Sequence, residues 1–147
     1  MNYLYAILTN RCPRCRKGRM FSKRYAYSRH FMKMNERCPA CNQRSEIEVG
    51  FYYGSGYVSY ALTVALSVAS FIAWWVFVGI SIEDNRVLWW ILFNAVLLIV
   101  LQPWLMRLAR IIWLSFFVKY NPNWKNEPPE ETDRVIEDQM EIIHQEK

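Results

Sequence analysis

From Tyr57 to Ile80 the chain reads YVSYALTVALSVASFIAWWVFVGI, and from Val87 to Met106 it reads VLWWILFNAVLLIVLQPWLM, with no charged residue in either stretch. Six residues separate them, Ser81-Ile82-Glu83-Asp84-Asn85-Arg86. At about 1.5 Å of rise per residue, helices of these lengths measure roughly 30 to 36 Å, enough to cross the hydrocarbon core of a bilayer. Two helices that are apolar all round could instead be the core of a soluble protein. In a chain of 147 residues the remaining sequence is too short to cover both on all sides. The expected fold class is therefore a membrane protein. A two-helix transmembrane hairpin over 57–106 (spans 57–80 and 87–106) is preceded by a small cysteine-bearing head and followed by a short C-terminal helix.

Charge orients the hairpin. Residues 1–50 hold eleven Lys/Arg against three Glu, a net of +8, while the hairpin loop has one Arg beside Glu83 and Asp84. Arg107 and Arg110 stand directly after the second span. Positive charge thus flanks both outer ends, which places both termini in the cytoplasm of a bacterial inner membrane. Trp89 and Trp90 at one depth, and Tyr57, Tyr60 and Trp104 at the other, suit the two interfacial belts. The overall charge of +5 and mean hydropathy near zero (−0.05) average over these unlike segments. Met1–Leu8 is too short to be the apolar core of a cleavable signal and reads as one or two helical turns near the membrane surface, or as a frayed end.

Four cysteines stand as two pairs, Cys12-Pro13-Arg14-Cys15 and Cys38-Pro39-Ala40-Cys41, with 22 residues between them. Two thiolates two residues apart meet one tetrahedral ion from a tight turn, and a second such turn closes the site. A cytoplasmic head is reducing, which favours metal over disulfides. One structural zinc on Cys12, Cys15, Cys38 and Cys41 is the first expectation; iron in a rubredoxin-like site would use the same sulfurs and ranks second. Covalent haem needs a His directly after a pair, where Arg16 and Asn42 stand, and His30 reads as a solvated loop residue. Gly18 and Asn42 follow the pairs where such turns want a residue tolerant of positive φ. Phe21, Tyr25, Tyr27 and Phe31 supply apolar contacts for a ribbon built of a β-hairpin and two knuckles, with metal supplying much of the folding free energy. The density of Lys and Arg between Arg11 and Arg24 raises nucleic acid as a partner. With the head about fifteen residues from the bilayer, anionic lipid headgroups are preferred over nucleic acid.

Gly50-Phe51-Tyr52-Tyr53-Gly54-Ser55-Gly56 joins head to hairpin, with glycines for close turns and aromatics for the headgroup level. The stretches CPRCRKGRMF, CPACNQ and GFYYGSGYVSYALTVALSVA resemble the Bacteroidetes-type branch of the domain-of-unknown-function family 983, over roughly residues 5–120. The resemblance implies a small bacterial membrane protein with a ribbon ahead of two transmembrane helices, Cys12, Cys15, Cys38 and Cys41 as the ligand set, and Asn42 where a glycine is often found. It brings no established activity. Relatives encoded beside haem-copper oxidase genes imply a part in assembling a respiratory complex.

Within the first span Ser59, Thr63, Ser67 and Ser70 form one small polar stripe; Asn94 and Gln102 are the clear polar residues of the second. Counted inward from the loop, Asn94 falls level with Ser70 to Ala73 and Gln102 with Thr63 to Ser67, so the helices should pack through the stripe. No ionisable residue lies in either span, which leaves an ion-coupled transport site without a candidate. Residues 107–120 form either an interfacial segment or an extension of the second helix that packs on the head. The tail 121–147 is acidic, net −6 from Asn126 onward, with Ile136, Met140 and Ile143 at helical spacing, and could fold back on the basic head. No nucleophile elbow, phosphate loop or open metal site is visible. The sequence thus reads as a non-enzymatic inner-membrane protein whose zinc ribbon docks a membrane-protein partner. A membrane-tethered nucleic-acid-binding ribbon is the alternative.

Overall fold

The computed structural model describes residues 2–79 and 85–129. Helix α1 runs Tyr3–Leu8, a 3-10 turn covers Phe51–Tyr53, α2 runs Ser55–Val78 and α3 runs Arg86–Phe117. The last two are long and apolar enough to cross a membrane. Their outer surfaces are bare: Phe77 is 86% exposed, Ile99 74% and Trp75 61%. Apolar area on that scale is seldom left open to water, in keeping with helices of membrane length.

The helices pack through the polar stripe. Ser70 Oγ donates to Asn94 Oδ1 at 3.1 Å, and Asn94 Nδ2 donates to Ser67 Oγ at 3.3 Å. The amide of Asn94 thereby meets Ser70, expected at its depth, and also Ser67, which the count from the loop had set level with Gln102. Trp90 belongs to the same seam: its Nε1 donates to Ser70 Oγ at 3.3 Å and its ring meets Phe71 edge-on at 5.0 Å. Only Trp89 of the Trp pair, 63% exposed, faces outward as a belt residue would. Gln102 is exposed.

α3 does not stop at Met106. Leu105, Leu108, Ile111 and Leu114, spaced by threes, are all buried, with Ile111 and Leu114 fully enclosed. Leu108, Ile111 and Leu114 join Ile7, Met20, Phe21 and the four cysteines in one core, against which Trp104, Phe51 and Trp124 pack. Each fully buried Ile or Leu here contributes about 1.5 to 3 kcal/mol. The lower third of α3 is therefore the floor on which the head is built. α1 packs on the same helix, with Tyr3 Oη 3.0 Å from Ser115 Oγ and Ala6 and Ile7 buried.

The head contains no β-strand among the described residues, which corrects the expected β-hairpin. Three isolated antiparallel bridges stand in its place: Arg11 with Arg19, Phe21 with Met34, and Arg37 with Arg44. The outer two each clasp one knuckle, and the knuckle's own turns absorb the bonds that would extend a ladder. Beyond the middle bridge, the carbonyls of Arg24, Tyr25, Phe31 and Met32 are taken by Arg107 and Arg110 of α3 instead of by a partner strand.

The expected end of the first span at Ile80, loop residues 81–84 and the C-terminal helix expected within 130–147 lie outside the described residues.

Candidate metal centre

Each knuckle is a short main-chain loop closed on its first cysteine. Cys12 N–H donates to the Gly18 carbonyl at 2.8 Å and Arg16 N–H to the Cys12 carbonyl at 2.8 Å. In the second knuckle Cys38 N–H donates to Gln43 at 2.8 Å and Asn42 N–H to Cys38 at 2.9 Å. The residue after each pair takes a left-handed conformation, Arg16 at φ 56° and Asn42 at φ 58°. Asn42 thus holds the position the sequence assigned to it, but in the first knuckle that position is Arg16 and not Gly18. An L-residue other than Asn or Asp there costs roughly 1 to 2 kcal/mol, which the closed site must offset. Gly18 is required for room: a Cβ on it would run into Cys38 Sγ and come within 3.2 Å of the Ala40 Cβ.

The two turns bring Cys12, Cys15, Cys38 and Cys41 together, all buried, with every sulfur within 4.8 Å of the others. Cys12 and Cys41 sulfurs are 3.7 Å apart, and those of Cys15 and Cys38 3.8 Å. A tetrahedron with metal–sulfur bonds of about 2.3 Å has edges of roughly 3.8 Å. The donor set therefore fits a single tetrahedral, thiolate-loving ion. Main-chain N–H groups of Lys17 and Gly18 point at Cys15 Sγ from 3.5 and 3.4 Å, as donors to a thiolate do.

Protons are unevenly shared among the four sulfurs. Hydrogen bonds to Cys15 and the other thiols, together with burial, push Cys12 far above the usual thiol range. The bond from Cys12, with those from Cys38 and Cys41, pulls Cys15 far below it. Cys38 falls to about 7, chiefly through Cys12. A cation at the centre would take the place of the shared protons and hold all four as thiolates. His30 is exposed and is not one of the clustered ligands.

Two arginines that the sequence assigned to topology are structural members of the site. Arg14, inside the first pair and buried, donates to the Cys41 carbonyl at 3.4 Å and to the carbonyls of Glu127 and Pro128 at 2.9 and 2.7 Å. It ties both knuckles to the segment that follows α3. Arg16 lies over the Tyr120 ring at 3.8 Å, strengthening the same strap. The first residues of the acidic tail therefore do lie on the head, held through main-chain carbonyls; residues 130–147 lie outside the described part.

Arg107 is 1% exposed and donates to Phe31 (2.8 Å), Tyr25 (2.9 Å) and Arg24 (3.3 Å) carbonyls, with Phe21 stacked beneath its guanidinium at 4.8 Å. Arg110 Nη1 donates to Met32 at 3.0 Å. Their spacing of three, on the face that also carries Leu108 and Ile111, was the one available sequence signal. At the joint, Trp113 Nε1 donates to the Phe51 carbonyl at 2.8 Å, and the Trp113 ring occupies the space a Cβ on Gly54 would need.

Fold and site together define a class: a pair of membrane-length helices whose second member carries a head with four clustered cysteines that could hold a metal ion. The chain belongs to the family described as "Protein of unknown function (DUF983)", whose model matches residues 28–120. That match takes in Cys38, Cys41, the aromatic joint and both long helices, and begins after the first cysteine pair. No curated protein and no solved structure matches the chain.

Proposed function

We propose that this is a multi-pass protein of the bacterial inner membrane, with both outer ends of the helix pair in the cytoplasm and one structural zinc on Cys12, Cys15, Cys38 and Cys41. Its role is to dock a membrane-protein partner and assist assembly or maturation of a membrane complex, and it is non-enzymatic. The observation that carries this reading is the shared core: the cysteines, Ile111 and Leu114 pack as one cluster. The metal thus fixes the head at one place on α3, just beyond the apolar stretch, where a partner in the same membrane would meet it. Four sulfurs close the coordination of a tetrahedral ion and leave no position for substrate. The cytoplasmic orientation rests on the excess of Lys and Arg in residues 1–50. The choice of a respiratory complex rests on the family resemblance alone.

The test is affinity purification of the full chain in mild detergent under anaerobic conditions, with elemental analysis and mass spectrometry of bound proteins. One zinc per chain and a stable membrane-protein partner, lost in Cys38→Ser while the variant stays in the membrane fraction, is the expected result. Iron in place of zinc would overturn the metal assignment. A partner retained by Cys38→Ser, or salt-sensitive recovery of RNA or DNA instead, would overturn the docking role.

A further inference from the structure

We propose that the loop 22–33 is a headgroup-level anchor that binds anionic phospholipid in the bilayer crossed by α2 and α3, an inference that rests on the membrane reading above. The loop is a defined body. Ser22 N–H donates to the Lys33 carbonyl at 3.0 Å beside the Phe21–Met34 bridge, which closes its base. Arg107 and Arg110 then pin its carbonyls to α3.

Its tip reaches along α3 toward the apolar stretch. The Tyr27 hydroxyl donates to the Val100 carbonyl, seven residues before Arg107 and so about 10 Å further along the helix. That carbonyl is next to the Ile99 carbonyl, which Pro103 deprives of its helical N–H partner. A hydroxyl that finds its acceptor this far along α3 places the loop at the depth where polar headgroups meet hydrocarbon.

Composition fits that depth. Tyr25 and Tyr27 are 71% and 68% exposed, and tyrosine rings with a polar tip belong in this layer. Lys23, Arg24, Arg29 and Lys33 are exposed, and the segment 22–33 contains no acidic residue. A surface of four cations held against the helix at headgroup depth complements phosphate-bearing anionic lipid. Nucleic acid would have to reach the same cations from the side the bilayer occupies. Each basic residue near an anionic surface is worth roughly a fivefold change in binding.

The experiment uses the full chain in nanodiscs of phosphatidylcholine, with and without added phosphatidylglycerol, read by hydrogen exchange of the 22–33 amides. Resistance to alkaline carbonate extraction from native membranes is checked first, so that failure of the membrane reading is seen separately. Phosphatidylglycerol should slow exchange in 22–33 at least severalfold at low salt. The variant Lys23→Gln/Arg24→Gln/Arg29→Gln/Lys33→Gln should lose that protection. The variant Lys17→Gln/Arg19→Gln/Lys119→Gln/Lys125→Gln, which removes the same charge elsewhere on the head, should keep it. Equal exchange in both lipids, equal loss in both variants, or protection by an oligoribonucleotide and not by lipid would each overturn the proposal.

Discussion

Gly18 stands against the sulfur of Cys38 with no space for a methyl group between them. The first knuckle therefore touches the second at a sulfur of the cysteine cluster, and the gap between them is set by one hydrogen atom. Overpacking of this kind costs about 1 to 3 kcal/mol, and here it also drives a ligand out of the tetrahedron. Purified Gly18→Ala should carry well under one metal ion per chain by elemental analysis. Gly56→Ala, where an added Cβ meets nothing within 4 Å, should carry the full complement. Full loading of Gly18→Ala would remove the steric argument.

Arg107→Met keeps much of the apolar stem over Phe21 but leaves the Arg24 and Phe31 carbonyls without their donor and the Tyr25 carbonyl with the Ser28 hydroxyl alone. Unmade bonds to buried groups cost about 1 to 3 kcal/mol each. Limited proteolysis should show cleavage within 22–33 in Arg107→Met at protease levels that leave the parent intact. Arg107→Lys should fall between, because a single ammonium cannot span three carbonyls. An unchanged cleavage pattern would mean that the loop is held by other contacts.

Asn94→Leu removes both amide bonds to the serine stripe, with a cost of about 0.6 to 2 kcal/mol in an apolar solvent. Reversible unfolding in mixed micelles should show a loss in that range, and Gln102→Leu, at an exposed position, should show less. The double variant Ser67→Cys/Asn94→Cys should crosslink on oxidation. A crosslink at Ser59 with Asn94 in preference would contradict the observed register.

Arg14→Gln leaves all four sulfurs in place while cutting the bonds to Glu127 and Pro128. Trypsin should then cleave at Lys119 or Lys125 in folded protein that still holds its metal. Removing the metal with a chelator should expose the same sites in the parent, because the strap rests on a knuckle that the ion holds shut. Protection that persists after chelation would separate the strap from the metal site.

Legible from the residues alone are features written within a few positions of one another. An uncharged run of membrane length is visible because each helix satisfies its own backbone and needs only an apolar exterior. The cysteine pairs are visible because two ligands of one ion must leave one tight turn. Ser70 was legible as a partner of Asn94 because depth in a helix pair follows from counting away from the loop, whereas Ser67, one turn further in, was set level with Gln102. Tertiary structure alone decided how the head is mounted. Arg107 meets Phe31 across 76 residues of chain and Arg14 meets Pro128 across 114, and no spacing in the sequence names either partner. A guanidinium bound to carbonyls can look, in sequence, the same as one that orients a membrane span. Gly18 shows the same limit at short range: its place beside the knuckle was legible, but whether it supplied a backbone angle or an empty space depended on where Cys38, twenty residues on, came to rest.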